Sequence, residues 1–412
     1  RSRMREVLEG SQAVARTVAR CRPGVICAYP ISPQTHIVEA LSVMARTGEL
    51  TDCEYVNVES EFSAMSVSIG ASAAGSRAYT ATASQGLLYM AEAVFNASGM
   101  GLPIVMTVAN RAIGAPINIW NDQSDALAMR DAGWLQLYAA DNQEAADLHI
   151  IAFAVAEELG IPAMVCMDGF VLTHASDVVD LATAEQIDGF LPPYRPQQVL
   201  DVENPTTIGT MAGPESFTET KYLQHLRFLD AAEVIDRWST AFRESFGRQA
   251  GGLVARYDPD SLDRDNLAPP GEATDVTVIG MGSVLGTLQA ALLPLHAAGV
   301  PVRLLGISSF RPFPELALRE ALGECRDVIV IDRALELGAG GVLTGNVGRA
   351  LAGTRSRIHS VVAGLGGRPI LEASLRDVVA RERAGQLGRL EFLDLKTGGV
   401  PLPPVGATEV AR

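Results

Sequence analysis

Residues 61–91 read EFSAMSVSIGASAAGSRAYTATASQGLLYMA, with Glu61 at the head and Arg77 the one other charged side chain. The first half is small and apolar on every side rather than along one stripe, the pattern of a helix packed on all its faces. A strand-like run at 78–83 and a second helical stretch at 87–98 follow, so helix and strand alternate within a buried setting. A carboxylate that leads such a helix stands at the edge of a dry interior. Burial disfavours the charged form of such a carboxylate and the positive helix end favours it. Glu61 is then either an ordinary first-turn acid or a group poised to share a proton with a bound heterocycle.

The same rhythm extends in both directions. Strands are expected at 25–28, 55–58, 104–108 and 163–167, with helices at 35–47 and 145–159. That alternation implies an α/β fold with a mostly parallel sheet covered on both faces. Gly, Pro and polar residues increase over 191–213, and 222–246 reads as an exposed connecting helix. A second α/β rhythm begins near Pro269 and Pro270, with strands at 276–280, 302–307 and 328–332, a helix at 284–298 and an aromatic, proline-bearing loop at 308–314. The expected organisation is a first domain at 1–190, a linker with an exposed helix at 191–260 and a second domain at 261–412, the boundary falling between about 255 and 272.

With 412 residues, 48% of them hydrophobic and 20% charged, the chain is long enough for two or three sizeable cores. A net charge of -15 argues against nucleic acid or an anionic membrane as the main partner. The five cysteines form no Cys-x-x-Cys pair, which leaves no evident means of holding an iron–sulfur cluster or a structural zinc, and no metal ligand is assigned. Electron transfer beyond an active site would need another subunit. No secretory or membrane-spanning pattern is seen, so a cytoplasmic setting is expected.

Loops leaving the carboxyl ends of parallel strands form the binding crevice of such sheets. Three candidates stand out. YPISPQT, 29–35, is stiffened by Pro30 and Pro33 around the hydroxyl of Ser32, as a substrate loop or merely a rigid helix lead-in. The crossing into Glu59, Ser60 and Glu61 is the second. The third, ANRAIGAPINIWNDQSD at 109–125, carries Arg111 as its single cation, either a surface charge or a bidentate clamp for a carboxylate. The glycine runs GMGSVLG, 280–286, and GLGGR, 364–368, lack a full dinucleotide fingerprint, and close backbone packing explains them about as well.

Together these loops, with VCMDGFVLTH at 165–174, ENPTTIGTMAGPESFTETKYLQH at 203–225, SSFRPFP at 308–314 and VIDRALELGAGG at 330–341, resemble the α subunit of 2-oxoacid:ferredoxin oxidoreductases of the pyruvate synthase type. The resemblance implies a pyrimidine-type thiamine diphosphate-binding domain followed by a transketolase C-terminal-like domain. It also implies CoA-dependent oxidative decarboxylation of a 2-oxoacid to acyl-CoA and carbon dioxide. Glu61 falls on the residue that hydrogen-bonds the cofactor's aminopyrimidine, with Pro33 and Ser84 beside the cofactor. A Glu sharing its proton with that ring makes the ring the base that activates the cofactor. Ser32 and Arg111 fall on the residues that bind substrate carboxylate and keto group, and Gly114 and Asn118 border the same pocket.

No GDG segment follows, the nearest string being Met167-Asp168-Gly169. The resemblance therefore assigns Mg²⁺ and the iron–sulfur clusters to partner subunits of β, γ and δ type, with ferredoxin or an NAD-linked subunit accepting electrons. The chain reads NRAIGAP and WNDQSD where pyruvate-type relatives commonly read NRALSAP and WCDHSD. Gly114 and Gln123 leave open a 2-oxoacid bulkier than pyruvate, such as the phenylglyoxylate of an NAD-linked branch. A lipoamide-type thiamine dehydrogenase component and a noncatalytic scaffold subunit are the competing readings.

Overall fold

The computed structural model describes residues 5–262, 275–396 and 398. In the first half, β1 (Arg5–Glu9), α1 (Gly10–Arg20), β2 (Val25–Cys27), α2 (Thr35–Thr47), β3 (Glu54–Val56) and α3 (Glu61–Ala73) come first. They are followed by β4 (Ala78–Thr82), α4 (Ser84–Tyr89), α5 (Ala91–Gly99), β5 (Val105–Asn110) and α6 (Ser124–Ala128). β6 (Leu135–Tyr138), α7 (Asn142–Leu159), β7 (Ala163–Asp168), β8 (Ser176–Asp180), α8 (Ala184–Phe190) and the 30-residue α9 (Phe217–Phe246) complete this half. The second half contains β9 (Val254–Tyr257), β10 (Val276–Gly280), α10 (Val284–Ala297), β11 (Val302–Ile307), β12 (Ser309–Arg311) and α11 (Glu315–Leu322). β13 (Asp327–Asp332) and β16 (Arg357–Val362) complete its buried centre, and β17 (Leu390–Phe392) forms an edge; the two-residue β14 (Leu335–Glu336) and β15 (Gly340–Gly341) pair only with each other.

Two sheets result. The first has the order β12-β6-β7-β5-β4-β2-β3 and is parallel except for β12, and the second has the order β17-β16-β13-β10-β11-β9, parallel except for β9. Strands β4, β5, β6 and β7 are buried at every residue, as strands covered on both faces must be. In the first sheet β2 is flanked by β3 on one side and β4 on the other. The chain reverses its direction of winding there, and a crevice opens beyond the carboxyl ends at such a point.

Local chemistry explains the helix ends. Ser60 caps α3 by accepting from Ser63 N at 3.1 Å, and Asp141 caps α7 by accepting from Glu144 N at 2.8 Å. Gly160 ends α7 in the left-handed region at φ 62, where a side chain would be strained. α7 lies buried through most of its length between the sheet, α1 and α9. Arg77, the charge inside the apolar run, is itself buried, its guanidinium held by Glu157 at 2.9 Å and by the Pro192 carbonyl at 3.0 Å.

Three sequence expectations change. The helix expected at 87–98 is two helices, α4 and α5, divided at Met90. The second sheet begins at β9, inside the segment expected to be linker, because Ala255 and Tyr257 pair with β11. The loop expected at 308–314 contains β12, which crosses into the first sheet and pairs with β6 through Ser309 and Leu137. Pro269 and Pro270 lie outside the described residues. Among the described residues no helix is long and apolar enough to cross a membrane.

Candidate active site

All three loops leave the carboxyl ends of strands in the first sheet: the Ser32 loop follows β2, Glu61 follows β3 and Arg111 follows β5, with Ser84 just beyond β4. The first and third meet in direct contact. The Arg111 guanidinium donates from NH1 to the Ser32 carbonyl at 2.9 Å and from Nε to the Asn118 carbonyl at 3.0 Å. Arg111 is 7% exposed, and burial lowers its pKa against the opposing pull of Asp125. Among the described residues its second terminal nitrogen makes no hydrogen bond, which leaves it open to a carboxylate. The Ser32 hydroxyl makes no hydrogen bond among the described residues.

Glu61 is 8% exposed at the first position of α3, and among the described residues no donor hydrogen-bonds its carboxylate. Its oxygens are not sealed from solvent, so they open onto the crevice and are available to a ligand. Gly86 supplies the room: a Cβ there would meet Thr82 Oγ1 at 2.6 Å and Glu61 Oε1 at 2.8 Å. The side chain is thus seated on the glycine backbone of α4. Its chemistry suits a ring nitrogen with which a proton can be shared.

Asp125, which the sequence reading did not single out, connects these parts. It is fully buried and accepts from Ser84 N, Arg111 N and Asn110 Nδ2, each at 2.9 Å, and from Ala126 N at 2.8 Å. Burial pushes its carboxyl up to about 6, with the four donors pulling the other way. Through it the backbone beside Glu61 and the backbone of Arg111 share one anchor. The available signal was that it closes a loop rich in amides and acids, but only the tertiary fold shows which of those groups is the anchor. Ser84 itself adopts φ 47, an uncommon conformation for a residue with a side chain, and its hydroxyl donates to the Ala112 carbonyl at 2.6 Å.

The remaining residues fall into place around this anchor. Pro33 packs where a Cβ on Gly169 would lie, joining the Ser32 loop to the end of β7. Gly114 does border Arg111's loop, but the space left by its missing Cβ is taken by Gln85 Nε2, 2.5 Å from where that atom would sit. Asn118 is engaged by the loops around it: its Nδ2 donates to Gly366 O at 3.0 Å and its Oδ1 accepts from Trp120 N at 2.7 Å. Gln123, buried, donates to Met281 O at 3.0 Å, so it too faces the second sheet's loops rather than a substrate.

The glycine runs explain themselves by the same contacts. Gly282 at φ 79 lies against Gln123, and Gly366 at φ 59 lies against Asn118, so close backbone approach is their role. Asp168, the acid of the Met167-Asp168-Gly169 string, accepts from Ser283 N at 2.9 Å and lies 3.5 Å from Arg333 NH1. Its charge is committed to the junction between the two sheets. All five cysteines are free thiols, four of them buried.

Comparison with known proteins identifies the family. The family described as pyruvate flavodoxin/ferredoxin oxidoreductase, thiamine diphosphate-binding, matches residues 16–239, and the pyruvate:ferredoxin oxidoreductase core domain II matches residues 274–374. The chain is 44% identical over 399 residues to pyruvate synthase subunit PorA of Methanosarcina barkeri, covering 95% of this chain and 96% of that one. It is 37% identical over 401 residues to ketoisovalerate oxidoreductase subunit VorA of Pyrococcus abyssi, covering 95% and 98%. A solved 2-oxoglutarate:ferredoxin oxidoreductase from Magnetococcus marinus, with 2-oxoglutarate, coenzyme A and succinyl-CoA bound, shares the fold with a TM-score of 0.70 at 18% identity. That likeness covers 92% of this chain and 65% of the solved chain.

Proposed function

Because the chain belongs to the 2-oxoacid:ferredoxin oxidoreductase family as an α subunit of a multi-subunit enzyme, we propose that it contributes the ring-facing and substrate-facing half of a thiamine diphosphate site that converts a small 2-oxoacid, pyruvate first, and CoA to acyl-CoA and carbon dioxide. The observation that carries this reading is the Glu61 carboxylate, which has no donor among the described residues and lies against Gly86 of α4, the helix whose first residue, Ser84, shares the Asp125 anchor with Arg111.

Thiamine diphosphate, when bound, supplies the carbon nucleophile and the electron sink. Glu61 holds a proton at the cofactor's aminopyrimidine nitrogen, and Pro33 and Ser84 border that ring. Arg111 pairs with the substrate carboxylate through its free NH2, and the Ser32 hydroxyl donates toward the keto oxygen. Holding both ends of the acid fixes the bond that breaks and removes the entropy of finding that pose. Mg²⁺, the diphosphate grip and the iron–sulfur clusters come from partner subunits, which pass two electrons to ferredoxin.

Gln85 occupies the gap that the missing Cβ of Gly114 leaves, so that gap is not open to a bulkier acid. Pyruvate is therefore favoured over phenylglyoxylate. The test is turnover by the complex assembled with its partner subunits. Glu61→Gln is expected to lose roughly 100-fold or more, and pyruvate is expected to be turned over faster than 2-oxoisovalerate or phenylglyoxylate. Wild-type activity in the Glu61→Gln complex would return the chain to a scaffold role.

A further inference from the structure

Away from this crevice, three segments distant in sequence bring together the end of β1, the first turn of α2 and the loop after β7. Glu9, His36 and His174 each present a ligand-type atom, and these atoms all lie within 4.8 Å of one another. His36 Nδ1 is 2.6 Å from Glu9 Oε1, and the two imidazole rings face each other with centroids 4.4 Å apart.

From these contacts, we propose that Glu9, His36 and His174 form a binding site for a divalent transition metal of the zinc class. The donor set, two imidazoles and a carboxylate with a position left open, is one that zinc accepts in tetrahedral geometry. Such a site needs donors about 3.4 Å apart, the edge of a tetrahedron with bonds of ~2.05 Å, so the three side chains have to shift by only about an ångström. They have the freedom to do so, because the His36 side chain is 43% exposed and that of Glu9 is 26% exposed. His174 is already oriented from behind: its Nδ1 lies 2.8 Å from Thr173 Oγ1, and the Phe170 ring stands 4.6 Å from its own. Thr173 is in turn fixed by the Phe170 backbone N–H at 2.8 Å. A hydrogen-bonded partner on the second ring nitrogen is the usual support for a metal-binding imidazole. Since α2 continues directly from the Ser32 loop, a metal here staples that loop's helix to β1 and to the segment that carries Asp168.

The test is equilibrium dialysis of the assembled complex against micromolar Zn²⁺, with zinc counted by mass spectrometry. Wild type is expected to hold one zinc per α chain more than His36→Ala/His174→Ala, and to gain a zinc-dependent rise in melting temperature that the double variant lacks. His225→Ala, at an exposed histidine on α9, is expected to match wild type on both readouts. Glu9→Gln, which removes the one anionic ligand, is expected to bind zinc more weakly than wild type. Equal zinc in wild type and the double variant, or an equal loss in His225→Ala, overturns the assignment. The melting temperature measured without zinc separates loss of the site from loss of the fold.

Discussion

Asp125 gives the sharpest test of how the active site is built, because two substitutions at this position should differ widely. In Asp125→Ala the backbone N–H groups of Ser84, Arg111 and Ala126 all lose their acceptor. In Asp125→Asn the remaining oxygen serves Ser84 and Arg111, and the new amide can face Asn110. Asn110 Oδ1 is buried and has no partner, so a flip of that side chain supplies the missing acceptor. Only Ala126 N is then left unpaired. Two backbone donors at ~1–3 kcal/mol each separate the variants, about 2–3 kcal/mol once water enters the truncated space, or roughly 30- to 150-fold in rate. The readout is kcat/KM for the 2-oxoacid in the assembled complex, since both lost donors position the Arg111 and Ser84 backbones. Burial places the Asp125 carboxyl near 6, so it is mostly ionised at neutral pH. Lowering the pH through that value makes wild type neutral at this position, as Asn is, and the two should converge. An alanine variant as active as the asparagine variant would refute the anchor.

Further expectations follow from other contacts. Gly86→Ala places a Cβ against Glu61 Oε1 and Thr82 Oγ1, so turnover should fall toward that of Glu61→Gln while circular dichroism stays unchanged. Gly114→Ser displaces the Gln85 amide and is expected to alter the ratio of pyruvate to 2-oxoisovalerate turnover more than the stability of the complex. His149 is fully buried between Thr107 and the Ala145 carbonyl, and burial lowers its pKa to about 4. The unfolded chain takes up that proton near 6.5 and the folded one refuses it until about 4. The contribution is therefore intact above 6.5 and lost as pH falls toward 4, by roughly 3 kcal/mol. Asp125 and Asp332, both raised to about 6, act in the opposite sense over the same range. The measurement is therefore the stability difference between wild type and His149→Gln, which should shrink with falling pH. A difference independent of pH would refute it.

Periodicity and composition carried the layer architecture because strands buried on both faces leave a plain apolar signature. The 78–83 run, expected as a strand, is β4 from Ala78 to Thr82. The loops were also legible, since prolines around Ser32 and a lone cation at Arg111 are rare in apolar surroundings. What the residues could not disclose was occupancy of space. Gly114 looks like added room in the sequence, and only the fold places Gln85 there. Asn118 looks like a ligand, but its amide is engaged by a loop 248 positions away. Asp125 was passed over for the same reason, because its four partners come from three separate segments.

One short strand decides how this chain can be dissected. β12 belongs by sequence to the second half and by pairing to the first sheet, where it covers the outer edge of β6. A fragment that stops before residue 275 would leave the backbone groups of that edge facing water, ready to pair with a neighbouring molecule. The complementary fragment would carry an orphan ribbon with nothing to lie against. Splitting the polypeptide into two expressible pieces should give aggregates rather than domains, and the two halves have reason to travel together through any gene fusion or rearrangement.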